Sequence, residues 1–154
     1  MTMNSKLINH FLSHRSITLE LISKIQHDDP EFKPSETSMP TKKLVTHMLT
    51  SMYKFTAVVK EGNAKPLLEK EEISETNLLK LAESYTEKTV QILESLTEED
   101  LTQVIDLTDV FGFKVPGSAL IKMGIEHEVN HKGNLFVYAR MLGHTDLPMY
   151  VKKI

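Results

Sequence analysis

The segment from Pro116 to Gly143 carries two histidines within an apolar stripe, and this feature constrains the fold most strongly. His127 and His131 are four residues apart, so on a helix they project from one face, one turn above the other. A buried imidazole needs a polar partner, so this helix must meet another polar group inside the protein. The predicted inward stripe consists of Leu120, Met123, His127, His131, Leu135, Tyr138 and Leu142.

Three earlier segments also have the periodicity of amphipathic helices. The first spans residues 4 to about 26 with Asn4 or Ser5 as its cap. The second follows Ser38 and Pro40 and fades at Gly62, and the third opens at Ser74 or Thr76 and ends near Leu96. Together with the last segment they predict an all-α, four-helix bundle, with residues 1–154 as a single domain.

Residues 101–115, between the third and fourth helices, have a different composition. β-Branched and aromatic side chains dominate there, interrupted by Asp109 and Gly112. This composition predicts an extended crossover, which can include a short hairpin, rather than a further helix.

The bulk composition limits the classes of partner and of chemistry. The chain has 18 basic and 21 acidic residues and no basic run, so no electrostatic footprint suggests nucleic acid or an anionic membrane. It has no cysteine, so any thiol chemistry would use the thiol of a substrate. No stretch has the apolar character of a signal peptide or of a membrane span, which makes a cytoplasmic location the expectation.

A third histidine lies on an inward stripe of a different helix. His47 belongs to the stripe of the second helix, so His47, His127 and His131 all face the predicted core. Each could be a core histidine with its own hydrogen-bond partner. Alternatively, one divalent metal ion could satisfy all three, and bundle cores are common places for such sites. The remaining stripe members of the second helix are Leu44, Met48, Ser51 and Phe55, with Val45 and Met52 widening it.

The other four histidines are not needed for this hypothesis. His10 and His14 have the same four-residue spacing, but polar neighbours predict a solvated or rim position for both. His27 and His144 lie just beyond predicted helix ends, where a cation suits the exposed carbonyl groups.

The residues from His127 to His131 also spell H-E-x-x-H, the motif of zinc peptidases. Those enzymes need a third ligand further along the chain, but no glutamate follows His131, and Asn134 and Val137 occupy the positions required by the longer form of the motif. The peptidase hypothesis is therefore the weaker one. With His47 as the third ligand, three neutral imidazoles leave an open coordination position, as in catalytic sites. Glu128 is then a candidate catalytic base or helper, or alternatively a solvated surface residue.

A second apolar line on the last helix indicates a second packing partner. Ile125, Val129 and Phe136 lie about a quarter-turn or more from the histidine stripe. A helix with two apolar lines packs on two neighbours, one of which can belong to another subunit.

Several stretches together resemble the DinB/YfiT-like family over nearly the whole length. The match is strongest at His127-Glu-Val-Asn-His131-Lys-Gly-Asn-Leu135 with Tyr138-Ala-Arg-Met-Leu-Gly143. It departs from the family where Lys132-Gly133-Asn134 replaces the frequent Arg-Gly-Gln. The other matching stretches are Phe11 to Arg15, Thr18 to Ile22, Phe32 to Pro34, Thr37 to Met39, Leu44 to His47 and Thr97 to Leu101.

The resemblance implies specific expectations. The bundle would run up-down-down-up, frequently as a homodimer, and would hold a divalent metal such as nickel or zinc on His47, His127 and His131. Some relatives are thiol S-transferases that join a low-molecular-weight thiol to an electrophile, and others are labelled metal-dependent hydrolases. The resemblance thus implies a small-molecule substrate, with a non-catalytic metal-binding stress or interaction protein as the alternative.

Overall fold

The computed structural model describes residues 1–153, and four long helices dominate it. They lie close to the predicted ranges, but their caps differ. Thr2 and Asn77, rather than Asn4 or Ser5 and Ser74 or Thr76, accept the capping hydrogen bonds. The elements are α1 (Met3–Ile25), α2 (Thr41–Glu61), α3 (Lys65–Leu68), α4 (Leu78–Ser95), α5 (Glu98–Thr102), β1 (Val104–Leu107), α6 (Thr108–Phe111), β2 (Phe113–Pro116) and α7 (Gly117–Met141).

The long helices surround the core in the order α1, α4, α2, α7, and side-chain contacts give their directions. Asn4 donates to the carbonyl of Leu96 while Arg15 reaches Thr86, so α1 and α4 are antiparallel. Tyr53 in the middle of α2 packs on Tyr85, and Lys60 near the end of α2 donates to the carbonyl of Ser95 at the end of α4; α2 and α4 are therefore parallel.

The remaining two interfaces complete the topology. His47 contacts His127 and Met52 approaches Gly124, so α2 and α7 run antiparallel. Early residues of α1 share one core cluster with early residues of α7, and late residues share the other, so α1 and α7 are parallel. The bundle is thus all-α in its main architecture and runs up-down-down-up, as the family resemblance implied.

The crossover between α4 and α7 contains a small antiparallel hairpin, and it also contains two short helices, α5 and α6, where extended chain rather than a helix was predicted. β1 pairs with β2 in the register Val104↔Pro116 to Leu107↔Phe113, and α6 forms the turn between them. Ile105, Leu107 and Val115 point into the core, so the period-two alternation of burial is that of a half-exposed sheet. At the end of β2, a Cβ on Gly117 would collide with the carbonyl oxygen of Asp100, and glycine permits this close approach.

The rotation of α7 differs from the predicted stripe. Met123 was expected to face inward but is 40% exposed, and the histidines lie at the half-buried flank of the helix. Ile125 and Phe136, the supposed second line, belong to the core clusters that α7 shares with α1 of the same chain. The apolar periodicity of α7 is therefore satisfied within one chain. The buried face comprises Gly117, Leu120, Ile121, Gly124, Ile125, Glu128, Lys132, Leu135, Phe136, Tyr138 and Ala139.

A further observation concerns membranes. Among the described residues, none of the helices combines the length and the apolar character needed to cross a bilayer.

Candidate metal centre

The three histidines chosen from helix periodicity meet at the α2–α7 interface. The Nε2 atom of His127 lies 3.0 Å from Nε2 of His47 and 3.1 Å from Nε2 of His131. One ligand atom from each residue falls within 4.8 Å of the other two. All three side chains are half-buried, so the cluster lies at the edge of the core with one side towards solvent.

The local structure explains why these nitrogens converge. His127 and His131 are one turn apart on α7, and the antiparallel packing of α2 brings His47 opposite both of them. The rings meet edge to face, with centroid separations of 4.5 to 4.9 Å. Gly124 permits the close approach of the helices, because a Cβ there would lie 2.9 Å from the sulfur of Met52 and 3.0 Å from Cδ2 of Phe55.

Electrostatics keep the imidazoles neutral at pH 7. Burial, followed by the neighbouring imidazoles of His131 and His47, lowers the pKa of His127 to about 4. Burial also lowers the pKa of His47, with a smaller effect from Lys43, and it lowers the pKa of His131, with a smaller effect from His47. A neutral imidazole offers a lone pair, which is the form that binds a metal ion.

The donor set fits a divalent cation better than it fits a hydrogen-bond network. A ring nitrogen carries either one proton or one lone pair, so Nε2 of His127 cannot make a full hydrogen bond to both neighbours. Metal–nitrogen bonds of about 2.0–2.1 Å place two nitrogens of one ion roughly 3–3.4 Å apart, which matches both short separations. The buried Nδ1 of His131 has no hydrogen-bond partner among the described residues, whereas Nδ1 of His47 lies 3.4 Å from the hydroxyl of Ser51.

His127 and His47 have different neighbours. The ring of Phe55 packs edge-on against His127 at 6.1 Å, and Phe111 of the hairpin turn lies 6.3 Å from Phe55. His47 borders a surface cavity of about 470 Å³. The remaining residues that line this cavity are Glu31, Pro40, Lys42, Lys43, Thr46 and Thr50.

Glu128 is not at the surface, which corrects one of the alternatives considered for it. Its side chain is 1% exposed and forms a bidentate ion pair with the fully buried Arg15 of α1, with Nε–Oε2 and Nη2–Oε1 distances of 2.8 and 2.5 Å. Thr18 donates a further hydrogen bond to this carboxylate at 3.1 Å, and Arg15 also donates to Thr86. A carboxylate with these partners is held on the α1 side of α7.

Lys132 is buried in the same way one turn later. Its ammonium group donates to Nδ1 of His14 at 2.7 Å and to the main-chain carbonyl of Tyr150 in the C-terminal segment. Burial lowers the pKa of Lys132 to about 8, and burial together with this lysine lowers the pKa of His14. The rim position predicted for His14 is therefore wrong, since its side chain is only 9% exposed, whereas His10 is exposed as predicted.

The periodicity contained a signal for this polar layer. On α1, buried residues follow alternating steps of four and three through Leu7, Phe11, His14, Thr18, Leu21 and Ile25. The same steps run on α7 through Ile121, Ile125, Glu128, Lys132, Leu135 and Ala139. In both helices the two central positions are polar, and the two polar pairs face each other. We call Arg15, Glu128, Thr18, His14 and Lys132 the α1–α7 polar clamp.

Comparison with known proteins agrees with this architecture. The model of the DinB family matches residues 1–154. The uncharacterized protein YjoA of Bacillus subtilis (strain 168) is 54% identical over 154 residues, which cover 100% of both chains. The 2.30 Å crystal structure of a DinB-like protein, YjoA of Bacillus subtilis, superposes with a TM-score of 0.89, covering 96% of this chain and 99% of that chain. On the full-length family match and this identity, the chain belongs to the DinB family.

Proposed function

We propose that this protein is a divalent-metal-dependent enzyme acting on a small molecule, with nickel or zinc held by His47, His127 and His131. The observation that carries the proposal is the convergence of three neutral imidazoles within 4.8 Å at a half-buried edge of the bundle. A structural site closes its coordination shell with protein ligands, whereas three ligands leave at least one position for a substrate. The cavity beside His47 provides the space for that substrate.

The reaction we place first joins a thiol to an electrophile, and hydrolysis is the second candidate. When bound, the ion lowers the pKa of a thiol or of a water molecule at its open position. In thiol transfer a carbon–sulfur bond forms, the bond to the leaving group breaks, and the thiol proton is released to solvent. Because the chain has no cysteine, the sulfur belongs to the substrate. The chain's own contribution is to hold the three imidazoles and to shield one side of them with Phe55.

For Glu128 we propose a positioning role in place of the role of catalytic base. Both of its oxygens accept hydrogen bonds from Arg15, and Thr18 occupies a further acceptor site. These contacts direct the carboxylate at α1 and away from the imidazole cluster on the α2 side of α7. Its proposed role is to fix the rotation of α7 and so the direction of His127.

A homodimer remains part of the proposal, on the family resemblance alone. The apolar line that suggested a second subunit packs against α1 in the same chain. Sedimentation equilibrium of the untagged protein would test this assembly directly.

The enzyme proposal is tested with untagged protein loaded with nickel or with zinc. Conjugation of monobromobimane to a panel of thiols and hydrolysis of ester and amide panels would be followed for the loaded protein, the metal-free protein and His47→Ala. We expect metal-dependent thiol conjugation that His47→Ala abolishes. Stoichiometric metal binding without turnover in either panel would contradict the enzyme and favour the non-catalytic binding protein.

A further inference from the structure

The cavity beside His47 has an unusual distribution of charge for a space next to a cation site. Two of its lining residues are the lysines Lys42 and Lys43, and one is the acid Glu31. Within residues 1–153 neither ammonium forms an ion pair, so Glu31 does not neutralise them. The cavity thus carries an excess of positive charge before the charge of a metal ion is added.

The helix geometry places one of these lysines close to the metal centre. Lys43 precedes His47 by four residues on α2, so the two side chains lie on one helix face about one turn apart. The long, flexible lysine chain can bring its ammonium group towards a molecule that occupies the open side of the imidazole cluster.

Two of the main-chain N–H groups at the start of α2 are already hydrogen-bonded within the protein. The main-chain N–H groups of Thr41 and Lys42 donate to the carbonyls of Phe32 and Pro30, at 2.8 and 2.9 Å. These donors are therefore already used by the preceding loop. The lysine side chains are the cationic groups of the cavity that remain available.

We propose that this cavity binds a carboxylate of the small-molecule substrate, with Lys43 as the main cation and Lys42 as the second. An unpaired ammonium next to a dication is electrostatically unfavourable, and an anionic substrate relieves the repulsion. The substrate class is accordingly a small molecule whose carboxylate lies a few bonds from the group that reaches the metal. This inference rests on the proposed metal-dependent function.

The test uses nickel-loaded protein and three thiols of similar size. These are 3-mercaptopropionate, its neutral amide 3-mercaptopropionamide, and the cationic 2-aminoethanethiol. Their dissociation constants would be measured from the thiolate-to-nickel charge-transfer absorption at low salt. We expect the carboxylate to bind about five- to tenfold more tightly than the amide, and the cationic thiol to bind most weakly.

Matched variants show whether the ratio of carboxylate to amide affinity comes from the cavity lysines or from the different acidities of the thiols. Lys43→Gln should bring the carboxylate-to-amide ratio to about twofold, and Glu31→Gln should raise the ratio above that of the wild type. Lys122→Gln, an exposed lysine of α7 that does not line the cavity, should leave the ratio unchanged. Equal binding of acid and amide by the wild type, or a ratio that Lys43→Gln does not change, would overturn the inference.

A second measurement decides the anion site without any thiol. Amide chemical shifts of Lys42 to His47 would be followed on addition of propionate and of propionamide to the zinc-loaded protein. Shifts with propionate alone, lost in Lys43→Gln, would support the carboxylate site even where no thiol gives a charge-transfer band. Propionate-specific shifts without a charge-transfer band would reject thiol binding at the metal and keep the carboxylate site. Identical responses to propionate and propionamide would reject the carboxylate site itself.

Discussion

Arg15 of α1 and Glu128 of α7 form a fully buried ion pair, and Glu128 directly follows the candidate metal ligand His127. The guanidinium is 0% exposed and the carboxylate 1% exposed, and their closest atoms are 2.5 Å apart. Successive residues of a helix point about 100° apart, so the pair faces α1 while His127 faces α2. In the proposed positioning role, the α1–α7 polar clamp fixes the rotation of α7 at which the imidazoles of His127 and His131 meet His47.

Breaking this ion pair on one side should be strongly destabilising. Glu128→Gln leaves the guanidinium of Arg15 buried without a counter-charge, which costs about 3–5 kcal/mol of unfolding free energy. We also expect nickel affinity to fall by about tenfold, in the range seen when residues that orient metal ligands are removed. Urea unfolding and metal titration measure the two effects.

The control for the ion pair replaces both partners. Arg15→Met combined with Glu128→Met makes the interface apolar. The double variant should be more stable than Arg15→Met alone or Glu128→Met alone. If the two single effects on stability were additive, the two residues would not act as a pair.

The three-histidine cluster predicts that its members, and not the exposed His10, are needed for metal binding. His47→Ala and His127→Ala should each remove stoichiometric nickel or zinc from untagged protein, whereas His10→Ala on the exposed face of α1 should retain it. Metal at 100 times its dissociation constant should stabilise the wild type by about 2.7 kcal/mol and should not stabilise the ligand variants. Elemental analysis and thermal unfolding give both readouts. Full metal content in His47→Ala would exclude the three-ligand site.

The lowered pKa of His127 predicts how the stability of the metal-free protein depends on pH. The folded-state pKa is about 4, and an unfolded histidine titrates near 6.5. Between these values the unfolded state binds more protons, so stability is greatest above pH 6.5 and falls as the pH drops towards 4. Urea unfolding at pH 5 and pH 7 should show this loss, and His127→Gln should reduce it. A flat profile for the wild type would contradict the lowered pKa.

Two glycines of α7 should respond differently to the same substitution. Gly117→Ala pushes a Cβ into the main-chain carbonyl of Asp100, which cannot move without shifting α5, and should cost about 1–3 kcal/mol. Gly124→Ala meets side-chain atoms only, the sulfur of Met52 at 2.9 Å and the ring of Phe55 at 3.0 Å; both can shift slightly, and the gain in helix propensity of about 1 kcal/mol offsets these contacts. Denaturant unfolding should therefore give a clear loss for Gly117→Ala and little change for Gly124→Ala.

The sequence by itself determined the four long helices, the hairpin-containing crossover and the three candidate ligands. Helical periodicity is local and depends only on which residues are apolar, so it was sufficient to assign α1, α2, α4 and α7. The four-residue spacing of His127 and His131 likewise survives any rotation of the helix. A pair of imidazoles one turn apart remains a pair wherever the helix packs.

Steps of four and three on α7 marked a line through Glu128 and Lys132 beside the histidine stripe, and the tertiary structure decided that this line is the buried one. From their residue types alone, Glu128 and Lys132 are expected to be solvated, because burying an isolated charge is costly. Arg15 and His14, more than 110 residues earlier in the chain, remove that cost by pairing with them, and this pairing exposes Met123 instead. Such pairing depends on which helices become neighbours, and no local pattern contains that information.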